Sequence, residues 1–286
     1  MSKRRKDDQG RRGNREYSNR KRDEPKQFNA TVEESVPCLY ADVFSEYKTE
    51  LERRHDRHER LVKLSRDTTI HSKRAIFLLH RAAILDRGGS EREERLDEAE
   101  GKLQEVGQFL QSTARELTGL DPWLHLSAFS PGLQEFVEAL AYYVFLRQGG
   151  LVSHEEVCHW LEFSCADEGS GDGEAVCVPL SRLNYVLGIA DLTGELMRMC
   201  ITAVGAGQQR VPFQLLPFIS SIYHGFQSLP PISKEILHKL RTLRSSVGKI
   251  ETACYTLKIR GSEIPRHMLG DVFHSTASQE SDPFDQ

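Results

Sequence analysis

The sequence contains no hydrophobic run that approaches the roughly 18 residues a membrane-spanning helix needs. Its charged beginning is not followed by the apolar stretch of a secretory signal peptide, so neither membrane insertion nor secretion is expected. Six cysteines in a chain of 286 residues are then expected to be reduced thiols rather than a disulfide framework. Cys158, Cys165 and Cys177 lie near His154 and His159, but their spacing matches no zinc-site pattern.

Several common catalytic motifs are also missing. The sequence has no G-x-G-x-x-G after a strand, no GxxxxGK[ST], no G-x-S-x-G and no H-E-x-x-H. These absences argue against dinucleotide-dependent enzymes, P-loop NTPases, α/β-hydrolases and zinc proteases of the usual kinds. His55-Asp56 is weak evidence for a phosphohydrolase, because a lone His-Asp pair on a basic helix face is common.

Charge is unevenly distributed along the chain. The formal net charge is −4, yet residues 1–30 hold eleven Lys or Arg against five Asp or Glu, which leaves −10 for the remaining 256 residues. An acidic body of this kind does not bind nucleic acid indiscriminately. Nucleic-acid binding would need a local basic patch or the surface of a partner.

Residues 1–37 are basic and almost free of large aliphatic side chains, which predicts a disordered tail. Two basic clusters in this tail indicate a bipartite nuclear-localisation signal, with a weak RNA-binding arm or a simple solvated tail as the alternatives. The residues of the two clusters are Lys3, Arg4, Arg5 and Lys6, followed by Arg20, Lys21 and Arg22. Residues 38–273 are predicted to form the folded domain, and residues 274–286 a second disordered tail.

The folded part is predicted to be all-α, because apolar residues recur at helical spacing and no stretch alternates long enough to demand a strand. We expect a bundle of about seven helices with a long N-terminal helix and a flexible acidic loop over residues 164–180. Helices are predicted over Tyr40 to Leu85, Ser90 to Leu117, a segment ending at Gly149-Gly150, Ser153 to Phe163, Ser181 to Gly205, Pro212 to Gln227, and Ser233 to Arg260. Ser90 with Glu93, and Ser153 with Glu156, match the capping-box pattern.

The first helix carries the main basic concentration of the folded body. Residues 53–74 contain eight Lys or Arg against three acidic residues. A surface of ion pairs between neighbouring helix turns is one interpretation, and a ridge that faces RNA is the other. In the second case Lys63 and Arg66, together with Arg198, are the candidate nucleic-acid-binding residues.

The stretch 181–205 is apolar almost all round a helix, which predicts a buried helix. Its polar residues fall on one strip roughly 60° wide, with Gly188 at the edge leaving room for a neighbour to approach. The strip consists of Asn184, Asp191, Glu195, Arg198 and Thr202. Buried carboxylates need a partner, so the strip either holds a structural ion pair with Arg198 or faces a ligand.

A second pair of acids, Glu135 and Glu138, lies one turn apart in another apolar helix. Spacing alone would place them in solvent, although Tyr142 and Tyr143 make that face unusually aromatic. Paired across a bundle, the two helices would gather four carboxylates, which suit Mg²⁺ or Mn²⁺ and hydrolysis of a phosphodiester. A di-iron oxidase is disfavoured because neither pair has the Glu-x-x-His pattern.

The sequence resembles the translin family over about residues 40–273. The motifs that carry the resemblance are RHDRHERLVKLSRD, RAIFLLHR, GLQEFVEA, YVLGIADLTGELMRMC and TACYTLKIRGSEIPRHML. The resemblance implies a helical bundle that assembles with its paralogue translin into a closed, octameric hetero-oligomer. It also implies a Mg²⁺-dependent endonuclease for single-stranded RNA, which promotes passenger-strand removal and activates the RNA-induced silencing complex (RISC).

In that family the catalytic, metal-binding acids fall on the quoted motifs, here at Glu135, Glu138, Asp191 and Glu195. All four are present, and we expect the protein in both cytoplasm and nucleus. The alternative is a scaffold without catalysis, which stabilises translin and binds RNA or DNA with it, its acids being structural.

Overall fold

The computed structural model describes residues 40–86, 88–164, 175–230 and 233–260. The chain divides into two compact units, Met1–Thr49 and Glu50–Gln286. The described part of the first unit is the beginning of one helix, in which the exposed rings of Phe44 and Tyr47 meet edge to face. The predicted tails at 1–37 and 274–286, and all seven basic residues of the proposed localisation signal, lie outside the described residues.

Within the described ranges the chain forms seven α-helices, as the apolar periodicity predicts. They are α1 (Ala41–Ala83), α2 (Ser90–Leu117), α3 (Leu126–Gln148), α4 (His154–Trp160), α5 (Arg182–Gly205), α6 (Val211–Gln227) and α7 (Lys234–Arg260), with a 3₁₀ turn at Pro122–His125 before α3. The long N-terminal helix is confirmed at 43 residues. None of the described helices is both long and apolar enough to cross a membrane.

Helices α3 and α5 lie at the centre of the bundle. The sequence predicts burial for α5, and side chains from Leu187 to Val204 are buried on several of its faces. Helix α3 is likewise buried over most of its circumference, and α5 packs against α3, α6 and α7. Ser181 caps α5, because its hydroxyl accepts a hydrogen bond of 3.0 Å from the backbone N–H of Asn184.

Helix α3 also contacts α1 backbone to backbone. A Cβ atom added at Gly132 would lie 2.5 Å from the carbonyl oxygen of Ser65, so a larger residue would push the two helices apart. The backbone N–H of Gly132 donates a 2.9 Å hydrogen bond to the Ser65 hydroxyl. This close contact holds α3 against α1.

The structure corrects the sequence prediction at two places. The fourth helix ends at Trp160 rather than about Phe163, because the chain turns into a small antiparallel hairpin of β1 (Glu162–Ser164) and β2 (Ala175–Cys177), in register Glu162↔Cys177 and Ser164↔Ala175. Strand β1 replaces the end of the predicted helix, and β2 lies inside the region predicted as loop, of which residues 165–174 lie outside the described residues. Three-residue strands are too short to show the alternation on which strand prediction depends.

The two predicted capping boxes have different outcomes. At α4 both hydrogen bonds of the box between Ser153 and Glu156 are present. At α2 the prediction is wrong, because Gly89 occupies the N-cap position with extended backbone and Ser90 is already helical. Glycine is itself a tolerated N-cap residue, so the helix begins without a side-chain cap.

Candidate active site

The two acids of α3 have different environments. Glu138 is only 8% exposed and has no hydrogen bond or ion pair with any other described residue. Glu135 is partly exposed and lies 3.1 Å from the Lys73 ammonium group of α1. The prediction that spacing alone places this pair in solvent is therefore wrong for Glu138, because α3 is covered on this face as well and the neighbouring Tyr142 is fully buried.

The two acids of α5 are each paired with a cationic or hydrogen-bonding side chain from another helix. Asp191 forms an ion pair with Lys239 of α7. Glu195 is bonded to the imidazole Nε2 of His80 on α1 and lies 3.3 Å from Arg198. The proposal that Arg198 neutralises both acids is thus corrected, since Arg198 contacts Glu195 alone and its side chain is 65% exposed.

His80 links the two central helices. An ionised carboxylate can only accept a hydrogen bond, so Nε2 of His80 donates to Glu195. The other ring nitrogen, Nδ1, lies 3.1 Å from the hydroxyl of Tyr142, which donates to it in the neutral ring. A chain of hydrogen bonds therefore runs from Tyr142 on α3 through His80 on α1 to Glu195 on α5. It fixes the Glu195 carboxylate in one orientation.

The pKa of Glu138 depends on its burial and on the other three acids. Burial raises it most, and the negative charges of Asp191, Glu135 and Glu195 raise it further, to about 8, although Lys239 opposes them. Glu138 therefore keeps its proton at pH 7. Burial also acts to raise the pKa of Glu195, but the hydrogen bond from His80 and the charge of Arg198 outweigh it, so that pKa is lowered and Glu195 is ionised.

Gly188 sets the distance between the two acid-bearing helices. A Cβ atom at this position would lie 2.7 Å from Cβ of Val137 and 2.9 Å from the backbone oxygen of Gln134, both on α3. The room that the sequence predicts beside Gly188 is thus filled by α3 itself. The close approach at this glycine lets Glu138 and Asp191 influence each other electrostatically.

The sequence model of the Translin family matches residues 56–261, which include all four acids and His80. The chain belongs to the translin family. Translin-associated protein X of Rattus norvegicus is 45% identical to this translin-family chain over 251 residues, which make up 84% of each protein.

Solved structures confirm the translin fold. The crystal structure of apo-NeC3PO superposes with a TM-score of 0.56 at 19% identity, covering 74% of this chain and 95% of that one. The structure of an AfC3PO complex with duplex RNA gives 0.55 at 21% identity, covering 78% and 100%. The all-α, translin-like bundle expected from the sequence is therefore confirmed.

The candidate nucleic-acid-binding residues of this translin-family chain are not brought into the acid cluster as a group. Lys63 and Arg66 are exposed on α1, and no hydrogen bond or ion pair joins either of them to the four acids in the part of the chain that the structure describes. Arg198 does reach the cluster, through Glu195. Some of the basic concentration on α1 does form ion pairs between neighbouring turns, for example Arg54 with Glu50 at 2.8 Å, so the salt-bridge interpretation holds for that part. Arg60 instead pairs with Glu116 of α2.

The four acids do not form a complete divalent-ion site as they stand among the described residues. Across the four described ranges, no three His, Cys, Asp or Glu side chains are arranged closely enough to hold a metal. Lys73, His80 and Lys239 instead contact three of the carboxylates. The donor set still fits a hard ion in kind, because all four groups are carboxyls and Glu138 is buried without an ion-pair partner among the described residues.

The sequence does not predict three of the side chains that contact the acids. Lys73, His80 and Lys239 come from α1 and α7, far in sequence from the acids they contact. A signal for His80 does exist, since it is a histidine near the apolar face of a long helix. Nothing in its local sequence says which carboxylate it faces.

Proposed function

We propose that this chain is the catalytic subunit of a translin-containing complex, a Mg²⁺-dependent endoribonuclease that cleaves single-stranded RNA. The observation that carries the proposal is Glu138 of a translin-family chain, a buried carboxyl whose pKa is raised by the charges of three further carboxylates. Placing four carboxyl groups near one another in a largely buried region is costly, and here the cost is met by three ion-pair or hydrogen-bond partners and by a proton on Glu138, which a bound cation could replace. Binding of a catalytic metal ion for RNA cleavage would explain why four acids lie near one another despite this cost.

Glu135, Glu138, Asp191 and Glu195 would hold Mg²⁺, or Mn²⁺ in its place. When bound, such an ion supplies an activated water and stabilises the charge that develops on the phosphate during cleavage. The chain's own residues prepare the site. Glu138 holds a proton that it would release when the ion binds. His80 fixes the Glu195 carboxylate by a hydrogen bond.

The proposed partners are translin, in a closed octameric hetero-oligomer, and single-stranded RNA. The rat relative carries association with translin in its name, and the AfC3PO neighbour was solved with duplex RNA. Large apolar side chains on α1 are exposed, among them Leu51, Ile70 and Phe77, which suits burial against another subunit. In this proposal the complex removes the passenger strand and so activates RISC, and the chain works in cytoplasm and nucleus.

A scaffold without catalysis is the second candidate. It is favoured by the ion pairs of Glu135 with Lys73 and of Asp191 with Lys239, which satisfy these acids without a metal. In this case the acids orient helices and the chain stabilises translin while binding RNA or DNA with it.

Single-turnover cleavage of single-stranded RNA by the co-expressed complex separates the two. Asp191→Asn nearly preserves volume but removes an anionic ligand, so we expect normal assembly and cleavage slower by on the order of 10²-fold or more, with Mg²⁺ required and chelator inhibitory. Glu94→Gln, at an exposed position on α2, is the matched control and should cleave normally. Full cleavage by both Asp191→Asn and Glu138→Gln would favour the scaffold.

A further inference from the structure

A cavity of about 420 Å³ opens between α3, α5 and the beginning of α7, next to the acid cluster. Its volume lies within the range of about 300 to 1,000 Å³ that small-molecule sites occupy. The residues that line it are Gln134, Leu187, Lys234, Glu235, His238 and Lys239. None of them is among the acids of the proposed active site.

The cavity shares a wall with the acids. Lys239 lines it and also forms the ion pair with Asp191. Gln134, on the opposite helix, directly precedes Glu135 in sequence. A ligand in the cavity would therefore lie beside the carboxylates rather than at a remote surface.

The lining combines cationic, apolar and amide groups. Lys234 and His238 are exposed at the mouth and can each donate a hydrogen bond to a phosphate oxygen, while Glu235 beside them can accept one from a ribose hydroxyl. Leu187 is 2% exposed and gives the cavity an apolar surface. This is the mixture that a nucleotide needs, since it carries a charged phosphate, a polar sugar and a flat base.

Gln134 is held in place for such a role. Its amide N–H donates 3.0 Å to Oδ1 of Asn184 and lies 3.4 Å from the hydroxyl of Ser130. Asn184 is itself buried and receives a further 2.6 Å hydrogen bond from that hydroxyl. These bonds orient the Gln134 side chain and leave its Oε1 oxygen available as an acceptor.

We infer that this cavity binds one nucleotide of the RNA strand, adjacent to the phosphodiester bond that the acids cleave. The inference rests on the proposed function for its choice of RNA as the ligand. In this arrangement Lys234 and His238 contact the phosphate of the neighbouring nucleotide, and its base or sugar packs against Leu187. The site would set the register of the strand relative to the four acids.

The test is RNA binding rather than cleavage. The full chain with the double substitution Lys234→Gln and His238→Gln is co-purified with translin. Its Kd for a short fluorescent single-stranded RNA is measured in the presence of a chelator and compared with that of the wild type. We expect the Kd to rise about five- to tenfold, and the slope of log K against log salt to become shallower by about 0.7 for the lost contact of the Lys234 ammonium group. Lys258→Gln, exposed near the far end of α7, is the matched control and should change Kd less than about twofold.

An unchanged Kd in the double variant would overturn the inference, and so would an equal loss in Lys258→Gln, which would indicate bulk charge alone. Competition provides a second measurement: a nucleoside 5′-monophosphate should displace the RNA at lower concentration than inorganic phosphate, because only the nucleotide contacts Leu187. Equal competition would overturn the assignment to a nucleotide. The chelator prevents metal-dependent cleavage, so the binding measurement tests the nucleotide site independently of catalysis. A wild-type complex that binds RNA but never cleaves it would overturn only the proposed nuclease.

Discussion

Replacing Glu138 with Gln should stabilise the metal-free protein at neutral pH. The Glu138 carboxyl ionises at about 8 in the folded chain, against an ordinary pKa of 4.5. A folded state that keeps a proton which the unfolded chain loses becomes less stable as pH rises between those two values. This penalty is absent below about pH 4.5, about 3 kcal/mol at pH 7, and close to 5 kcal/mol above pH 8. Gln has nearly the same volume and no proton to lose, so it escapes the penalty.

Thermal or urea unfolding of the assembled complex, in chelator, measures this effect. At pH 5 Glu138→Gln should be more stable than the wild type by less than about 1 kcal/mol, whereas at pH 7 the difference should be roughly 3 kcal/mol. Glu94→Gln is the matched control, because this exposed glutamate of α2 is not among the charges that shift the pKa of Glu138. Added Mg²⁺ should stabilise the wild type but not the Glu138→Gln variant, since a ligand stabilises the folded state only when it binds there.

The result that would refute this reasoning is a wild type and a Glu138→Gln variant whose stabilities run parallel from pH 5 to pH 8. Parallel curves would mean that Glu138 does not hold a buried proton in the folded chain. The carboxylates would then be less closely gathered than the structure has them, and the observation that carries the proposed function would fail.

Three further predictions concern packing, targeting and assembly. Gly188→Ala should lower the free energy of unfolding by about 1 to 3 kcal/mol, since its Cβ would lie 2.7 Å from Val137. Gly194→Ala on the same helix has open space and should be neutral or stabilising. Equal melting temperatures for the two variants would contradict the close contact at Gly188. Deleting residues 1–30 should reduce nuclear accumulation in imaging and leave RNA cleavage intact, and an unchanged nuclear signal would exclude the targeting role. Expressed without translin, the chain should be poorly soluble or misassembled because of exposed apolar residues on α1; a monodisperse, stable monomer on gel filtration would argue against obligate assembly.

The sequence predicts the helices well because their signals are local. Burial of α5 follows from apolar residues on nearly every side of Ser181 to Gly205, and the strip through Asp191 and Glu195 follows from the 3.6-residue period. Ser153 with Glu156 correctly predicts the beginning of α4. The family resemblance, confirmed by the match over residues 56–261, adds the pairing of acids from α3 and α5.

What the sequence does not reveal is nonlocal. Lys239 meets Asp191 from 48 positions away, and His80 meets Glu195 from 115 positions away, so no spacing rule connects them. Arg198 is the nearer cation in sequence and therefore the natural local guess for both acids, yet its side chain points mostly to solvent. Burial of Glu138 likewise depends on Tyr142 and on helices that cover a face which periodicity alone leaves open.

The glycines at positions 132 and 188 make the spacing of the acids a property of the backbone. At Gly132 the backbone of α3 meets the backbone of α1. At Gly188 the backbone of α5 meets the Val137 side chain and the Gln134 carbonyl oxygen of α3, so neither neighbour can approach α3 further. Glu138 and Asp191 thus extend from two stiff rods at a fixed separation, and rotation of their own side chains is what varies the distance between carboxylates. The spacing of α3 and α5 is therefore set at these two glycines rather than by the side chains of the site. Residues of the site can be replaced without changing the distance between the two helices.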